Sequence, residues 1–107
     1  MAFKPPYYAV IFTNLRTDQD PDYTITAHEM EELAKLQPGY LGFESARDIL
    51  GITISYWESL DDIANWKSNI EHLAAQQRGI EDWYKWYKVR ICRVEREYEF
   101  FKKAEGS

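Results

Sequence analysis

Cysteine is nearly absent from this chain of 107 residues: Cys92 stands alone, so no internal disulfide is possible and the fold must be held by its core. Cys92 lies in a strand-like run, is expected as a buried inert thiol, and agrees with a reducing, cytoplasmic compartment. Long hydrophobic runs are missing too. None could cross a bilayer, and Met1-Ala2-Phe3-Lys4-Pro5-Pro6 lacks the apolar core of a secretion signal, so neither membrane insertion nor export is expected. Basic residues are in deficit, 13 Lys and Arg against 18 Asp and Glu, and a net charge of −5 gives no general attraction to a nucleic-acid backbone. The only histidines are His28 and His72. No Cys or His cluster has zinc-ligand spacing, no glycine-rich phosphate loop follows a strand, and Gly-x-Ser-x-Gly does not occur.

Aromatic residues are plentiful instead. Four Trp, eight Tyr and five Phe exceed the needs of a small core, so some are expected to line a pocket or an interface. Hydrophobic content of 45% and charged content of 29% fit one globular domain over residues 1–107, with a core from about residue 7 to 98 and a tail at 99–107. From Glu95 on, charge mixes with Tyr98, Phe100 and Phe101, which predicts a segment that crosses to a partner or frays.

The chain is organised around the stretch from Pro38 to Trp66. Pro38-Gly39 predicts a helix stop, because proline breaks the hydrogen-bond ladder and glycine accepts the left-handed closing conformation. Tyr40–Arg47 and Ile52–Glu58 then read as a hairpin around Asp48-Ile49-Leu50-Gly51. Ser59-x-x-Asp62 predicts the next helix start, a serine cap with an acidic residue three places on. Upstream, Tyr7–Leu15 reads as a strand with two apolar faces, Tyr8, Val10 and Phe12 on one and Tyr7, Ala9 and Ile11 on the other. Asp20-Pro21 predicts the cap of an amphipathic helix carrying Tyr23, Ala27, Met30, Leu33 and Ala34 inward, with His28 on its outer face. The second helix carries Leu60, Ile63, Ala64 and Trp66, then Ile70, Leu73 and Ala74, with a break expected near Ser68-Asn69 and a cap at Gly79. A short turn over Ile80–Tyr84 precedes a last strand, Trp86–Val94, with a bulge expected at Arg93 and Val94. By parity Glu44 and Arg47 fall on opposite sides of their strand, and Arg47 with Asp48 is expected as a solvated hairpin end. Trp83-Tyr84-Lys85-Trp86-Tyr87 is expected to pack in the core or an interface rather than stack on a ligand.

The order strand, helix, strand, strand, helix, strand is the ferredoxin-like α+β arrangement, a four-stranded antiparallel sheet with both helices on one face. Two helices leave the other apolar face bare, which predicts a homodimer with sheet packed against sheet, a dimeric α+β barrel.

Pro38-Gly39-Tyr40-Leu41-Gly42, Tyr56-Trp57-Glu58-Ser59 and Trp66 resemble the antibiotic biosynthesis monooxygenase family over about Tyr7 to Tyr98. The resemblance implies a cofactor-free monooxygenase acting on polycyclic phenols, a quinol oxygenase or a haem-degrading enzyme. It implies catalytic roles for Asn14, as a strand asparagine that binds substrate or oxygen, and for Trp66, as a helix tryptophan packed on the ligand; Asn14 equally suits a backbone cap where the strand ends, and Trp66 plain core packing. Trp57, Phe12, His72 and Gln76 are the expected substrate contacts. Haem-degrading relatives carry a ligating histidine where Gln76 stands, and an amide is a poor iron ligand, so haem chemistry would need His72, one turn earlier. The expected function is a cofactor-independent oxidation of a quinol or polyphenol, with a small-ligand-binding or scaffold dimer as the alternative.

Overall fold

The computed structural model describes residues 4–17, 23–76 and 83–103, with side chains at 23–26 and 71–76 outside the described set. Six elements follow in the expected order: β1 (Tyr7–Arg16), α1 (Tyr23–Lys35), β2 (Tyr40–Arg47), β3 (Gly51–Trp57), α2 (Leu60–Gln76) and β4 (Tyr84–Val94). They build a ferredoxin-like α+β domain whose four-stranded antiparallel sheet runs β2-β3-β1-β4. β1 is therefore flanked by strands on both sides, which is why both of its alternating sets are apolar.

Cross-strand register assigns every strand residue to a face. Tyr8 stands opposite Trp57, Val10 opposite Ser55, Phe12 opposite Thr53 and Asn14 opposite Gly51. Trp57 packs with Ala34 of α1 and with Ile63 and Trp66 of α2, so this set is the helix side. On β4 the same side carries Tyr87, Val89, Ile91 and Arg93, paired with Asn14, Phe12, Val10 and Tyr8. The far side carries Tyr7, Ala9 and Ile11, then Ile52, Ile54 and Tyr56, and on β4 Lys88, Arg90 and Cys92. Glu44 and Arg47 do fall on opposite faces, opposite Ile54 and Gly51 respectively.

The core is centred on Trp57, which is 0% exposed. Its indole stacks on Trp66 with centroids 6.0 Å apart and meets Tyr40 edge-on at 5.7 Å. Its Nε1–H donates to Ser55 Oγ at 2.9 Å, which satisfies the one polar atom a buried tryptophan carries. Around this core the turn chemistry is as the sequence predicts. Gly39 has φ of 82°, and a side chain there would also run into the Asp62 carboxylate. Ser59 Oγ accepts from Asp62 N at 3.1 Å and donates to Asp62 Oδ2 at 2.8 Å, so serine and aspartate together cap α2. Ser59→Ala should cost about 1 kcal/mol, read as a lower urea midpoint with unchanged slope.

Five expectations are corrected. α2 runs unbroken through Ser68 and Asn69, because the Asn69 amide donates both to Asn65 O at 3.1 Å, within the helix, and to Gln37 Oε1 at 3.0 Å, beyond it. The irregularity between β1 and β4 falls at Leu15 and Arg16 rather than at Arg93 and Val94. Cys92 is exposed, since it sits on the edge strand on the side without helices. Arg47 is not simply a solvated hairpin end: its guanidinium donates to Asn14 Oδ1 across the sheet. β4 also begins at Tyr84, two residues early. Asp20-Pro21, Gly79 and most of the turn before Tyr84 lie outside the described residues.

Beyond β4 the chain continues through Glu95 to Lys103 without regular structure, and Tyr98, Phe100 and Phe101 are exposed. Tyr7 Oη donates to Glu97 Oε2 at 2.8 Å and anchors the start of this segment. A radius of gyration of 16.0 Å exceeds the roughly 13 Å of a compact chain this size.

Candidate functional site

Helix-side residues of the sheet form successive rows, and two of these rows hold the polar end of the face. One row runs Arg47, Gly51, Asn14, Tyr87; the next holds Ser45, Thr53, Phe12 and Val89. Asn14 is 1% exposed, the most buried polar residue described. A buried amide needs partners. The Arg47 guanidinium supplies one by donating to Asn14 Oδ1, and this orients the amide, leaving Nδ2–H as the donor it presents elsewhere. Gly51 lies between them on β3, and a Cβ there would overlap the guanidinium.

Beside this polar pair is an aromatic wall. The Phe12 ring meets Tyr84 edge-on at 5.3 Å and Tyr87 at 5.5 Å, and the two tyrosines meet each other at 5.9 Å. Tyr87 is 59% exposed, and Val89 and Ile91 are about half exposed, although all three lie on the side where the helices pack. The helices thus cover β2 and β3 and leave an apolar strip along β4. The run from Trp83 to Tyr87 divides accordingly: Trp83 is buried, while Tyr84 and Tyr87 pack on Phe12 at the edge of this open strip.

The expected site residues separate into two groups. Phe12 and Asn14 stand in adjacent rows. Trp57 and Trp66 stack together at the other end of the same face, six residues along β3 from Gly51, or about 20 Å. Trp66 is in the core, so a ligand held by Asn14 meets Phe12 and Tyr87 before either tryptophan. The side chains of His72 and Gln76 lie outside the described residues; their backbone belongs to the last turns of α2. His28 is on the outer face of α1, 3.9 Å from Glu32. The structure also brings Arg47 and Tyr87 beside Asn14, and neither was among the residues the sequence singled out as substrate contacts. The signal available was parity: Arg47 and Asn14 share a face once Gly51 is known to lie between them.

The displaced titrations lie away from this end. Tyr7 is pushed up to about 12, first by burial and then by its hydrogen bond to Glu97. Tyr56 on the same far face is also raised, by burial and then by Glu44. Tyr40, beside Trp57, is raised by burial. These phenols stay neutral, so none of the three is a general base at ordinary pH. Among the described residues no three His, Cys, Asp or Glu side chains group as metal ligands, and no helix is long and apolar enough to cross a membrane.

A family profile of antibiotic biosynthesis monooxygenases matches residues 6–78. The chain belongs to this family. It is 48% identical over 99 residues to the uncharacterised Bacillus subtilis protein YqjZ, covering 91% of this chain and 87% of that one. Among solved structures it is similar to SnoaB, a cofactor-independent oxygenase from Streptomyces nogalater, with a TM-score of 0.71 at 8% identity over 87% of this chain and 97% of that one. It is also similar to a Shewanella oneidensis protein, with a TM-score of 0.68 at 6% identity over 83% of this chain and 91% of that one. At such identities the likeness is one of fold. One fold hosts many functions, so the family likeness by itself assigns no role to Asn14, Gly51 or Arg47.

Proposed function

We propose that this protein is a cytoplasmic, single-domain oxygenase without a bound cofactor, and that it oxidises a quinol or polyphenol bound at the Asn14 end of the helix-side face. The observation carrying this reading is the buried Asn14 amide, oriented by Arg47 as a donor, beside an exposed aromatic strip. In such a reaction the substrate supplies the electrons. A phenol loses a proton to become electron-rich, one oxygen atom of dioxygen enters the ring, the other leaves as water, and a quinone is formed. The protein binds the ring against Phe12 and Tyr87 and donates a hydrogen bond from Asn14 to the developing oxyanion. Trp57 and Trp66 form the inner floor of the face. Oxygen uptake with a panel of hydroquinones and polycyclic phenols tests the reading: turnover above the buffer rate is expected with at least one, and none with any would overturn it.

A ligand-binding role without catalysis is the second reading, favoured by one observation: Trp66, expected at the reacting centre, is stacked in the core on Trp57, which lies six residues along β3 from the Gly51 opposite Asn14. A native mass spectrum retaining an aromatic molecule, together with no oxygen uptake, would select it.

The active form is proposed to be a homodimer formed through the far side of the sheet. Members of the family are usually dimeric. On that side Ile52 and Trp86 are exposed, β2 contributes Glu44, and β4 contributes Lys88 and Arg90. A twofold axis would set Glu44 of each copy toward the basic edge of the other. Light scattering at micromolar protein should give the mass of two chains, and Arg90→Glu should weaken the association; a one-chain mass for the wild type would overturn the arrangement.

A further inference from the structure

β4 is an edge strand: β1 pairs with one side of it, and among the described residues no strand meets the other, so a row of backbone donors and acceptors lies open there. Its side chains sort by parity. Tyr87, Val89 and Ile91 stand on the helix side, each about half exposed, and Trp86, Lys88 and Arg90 on the far side. The strand carries four basic residues, Lys85, Lys88, Arg90 and Arg93, and no acidic one.

The segment that follows has the opposite character. Glu95, Glu97 and Glu99 alternate with Arg96, Tyr98 and Phe100, a period of two that suits a strand, in a segment that pairs with no strand of its own chain. Tyr98, Phe100 and Phe101 are 81–96% exposed, so their own chain does not cover them. Folding back onto its own β4 would need a tight reversal within Glu95-Arg96-Glu97, which offers no Gly, Pro, Asn or Asp to make it. Tyr7 Oη also holds Glu97 at the start of β1, at 2.8 Å. The segment is therefore an arm that leads away from its own sheet, and the molecule is 52 Å along its longest axis.

We propose that residues 95–101 of one copy add as a strand to the open edge of β4 in a second copy, and reciprocally, so that each candidate site is walled in part by the other chain. The inference rests on the homodimer proposed above and not on the oxygenase reading. A twofold axis perpendicular to the strands makes the two β4 strands antiparallel, and the arm, which continues β4, then meets β4 of the other copy antiparallel. With Phe100 of one copy opposite Tyr87 of the other, Tyr98 falls opposite Val89, Glu99 opposite Lys88 and Phe101 opposite Trp86. Both faces agree in this one register, ring against apolar side chain on the helix side, carboxylate against ammonium on the far side. Three aromatic side chains per arm, at roughly 150–250 Å² each, bury roughly 900–1,500 Å² over two arms, the scale of a stable interface. Tyr87 pairs with Asn14 and packs on Phe12, so the Phe100 ring closes the exposed end of the aromatic wall at the site.

Two full-length variants test the exchange. Tyr98→Ser/Phe100→Ser/Phe101→Ser alters only exposed residues outside the sheet and helices, and should weaken the dimer by about thirtyfold or more in sedimentation equilibrium. Tyr87→Cys/Phe100→Cys in a Cys92→Ser background, treated with a short bis-maleimide, should give a covalent two-chain species on a denaturing gel. Near-UV circular dichroism of the Trp57 and Trp66 pair verifies that each variant is folded. A dimer whose dissociation constant is unmoved by the triple serine variant, or a cysteine pair that links within one chain or not at all, would overturn the exchange and leave the far-side homodimer standing. A one-chain mass for the wild type would overturn both.

Discussion

Asn14→Ala is expected to reduce oxygen uptake by about a hundredfold, the scale on which the loss of one oxyanion donor is felt. The effect should fall on turnover more than on apparent affinity, because the ring contacts with Phe12 and Tyr87 remain while the donor to developing charge is gone. Asn14→Asp separates this from a merely structural role. A carboxylate at 14 would pair with Arg47 and hold the local fold, yet it would accept where the amide donates and would repel an anionic ring. The aspartate variant should thus be folded and about as inactive as the alanine variant. Uptake within about twofold of wild type in Asn14→Ala would move the chemistry away from this end of the sheet.

Trp57→Ala should lower folding stability by about 3–5 kcal/mol, most of what a domain of this size possesses. Among the described residues Trp57 is the one large apolar side chain that is fully buried, and it touches Tyr40, Trp66 and the Ser55 hydroxyl at once. Removing it leaves a cavity under both helices and a buried serine without its partner. Urea unfolding followed by circular dichroism measures the loss. A change below about 1 kcal/mol would mean that the helices are held elsewhere. Trp57→Phe should cost less, because it keeps the stacking partner and loses only the indole hydrogen bond and part of the volume.

Much of the fold is local chemistry and so could be read from the chain. Pro38-Gly39 stops a helix because of what proline lacks and glycine permits, and Ser59 with Asp62 starts one through bonds within four residues. The alternation Tyr8, Val10, Phe12 against Tyr7, Ala9, Ile11 assigns faces by period alone. Asn69 misled because asparagine disfavours helix interiors on average, whereas here its amide finds a partner in Gln37, which is 32 residues away. Cys92 misled for a similar reason: strand-like composition says nothing about whether the strand is central or at an edge.

The site was legible in part. Phe12 and Asn14 share a face by parity, and Trp57 lies on that face too once the register is known. Distance along the face was not legible. Trp66 follows Trp57 closely in sequence and stays with it, so the helix tryptophan ends beside the core tryptophan and not beside Asn14. Arg47 could not be assigned to Asn14 from sequence, because the contact depends on the pairing of three strands and on an absent side chain at Gly51.

The position of β1 has a consequence for how the molecule is made. Tyr7 is paired with Val94, so β1 cannot complete its pairing until synthesis has passed Val94, 87 residues later. Until then β1 can pair only with β3, and its other edge, with Tyr8, Val10 and Phe12 behind it, stays unpaired. Closing so long a loop is slow compared with forming either helix or the β2–β3 hairpin, which places refolding in the millisecond-to-second range typical of non-local sheets. A chain stopped before Tyr84 would retain an open central strand, the form most prone to join with copies of itself.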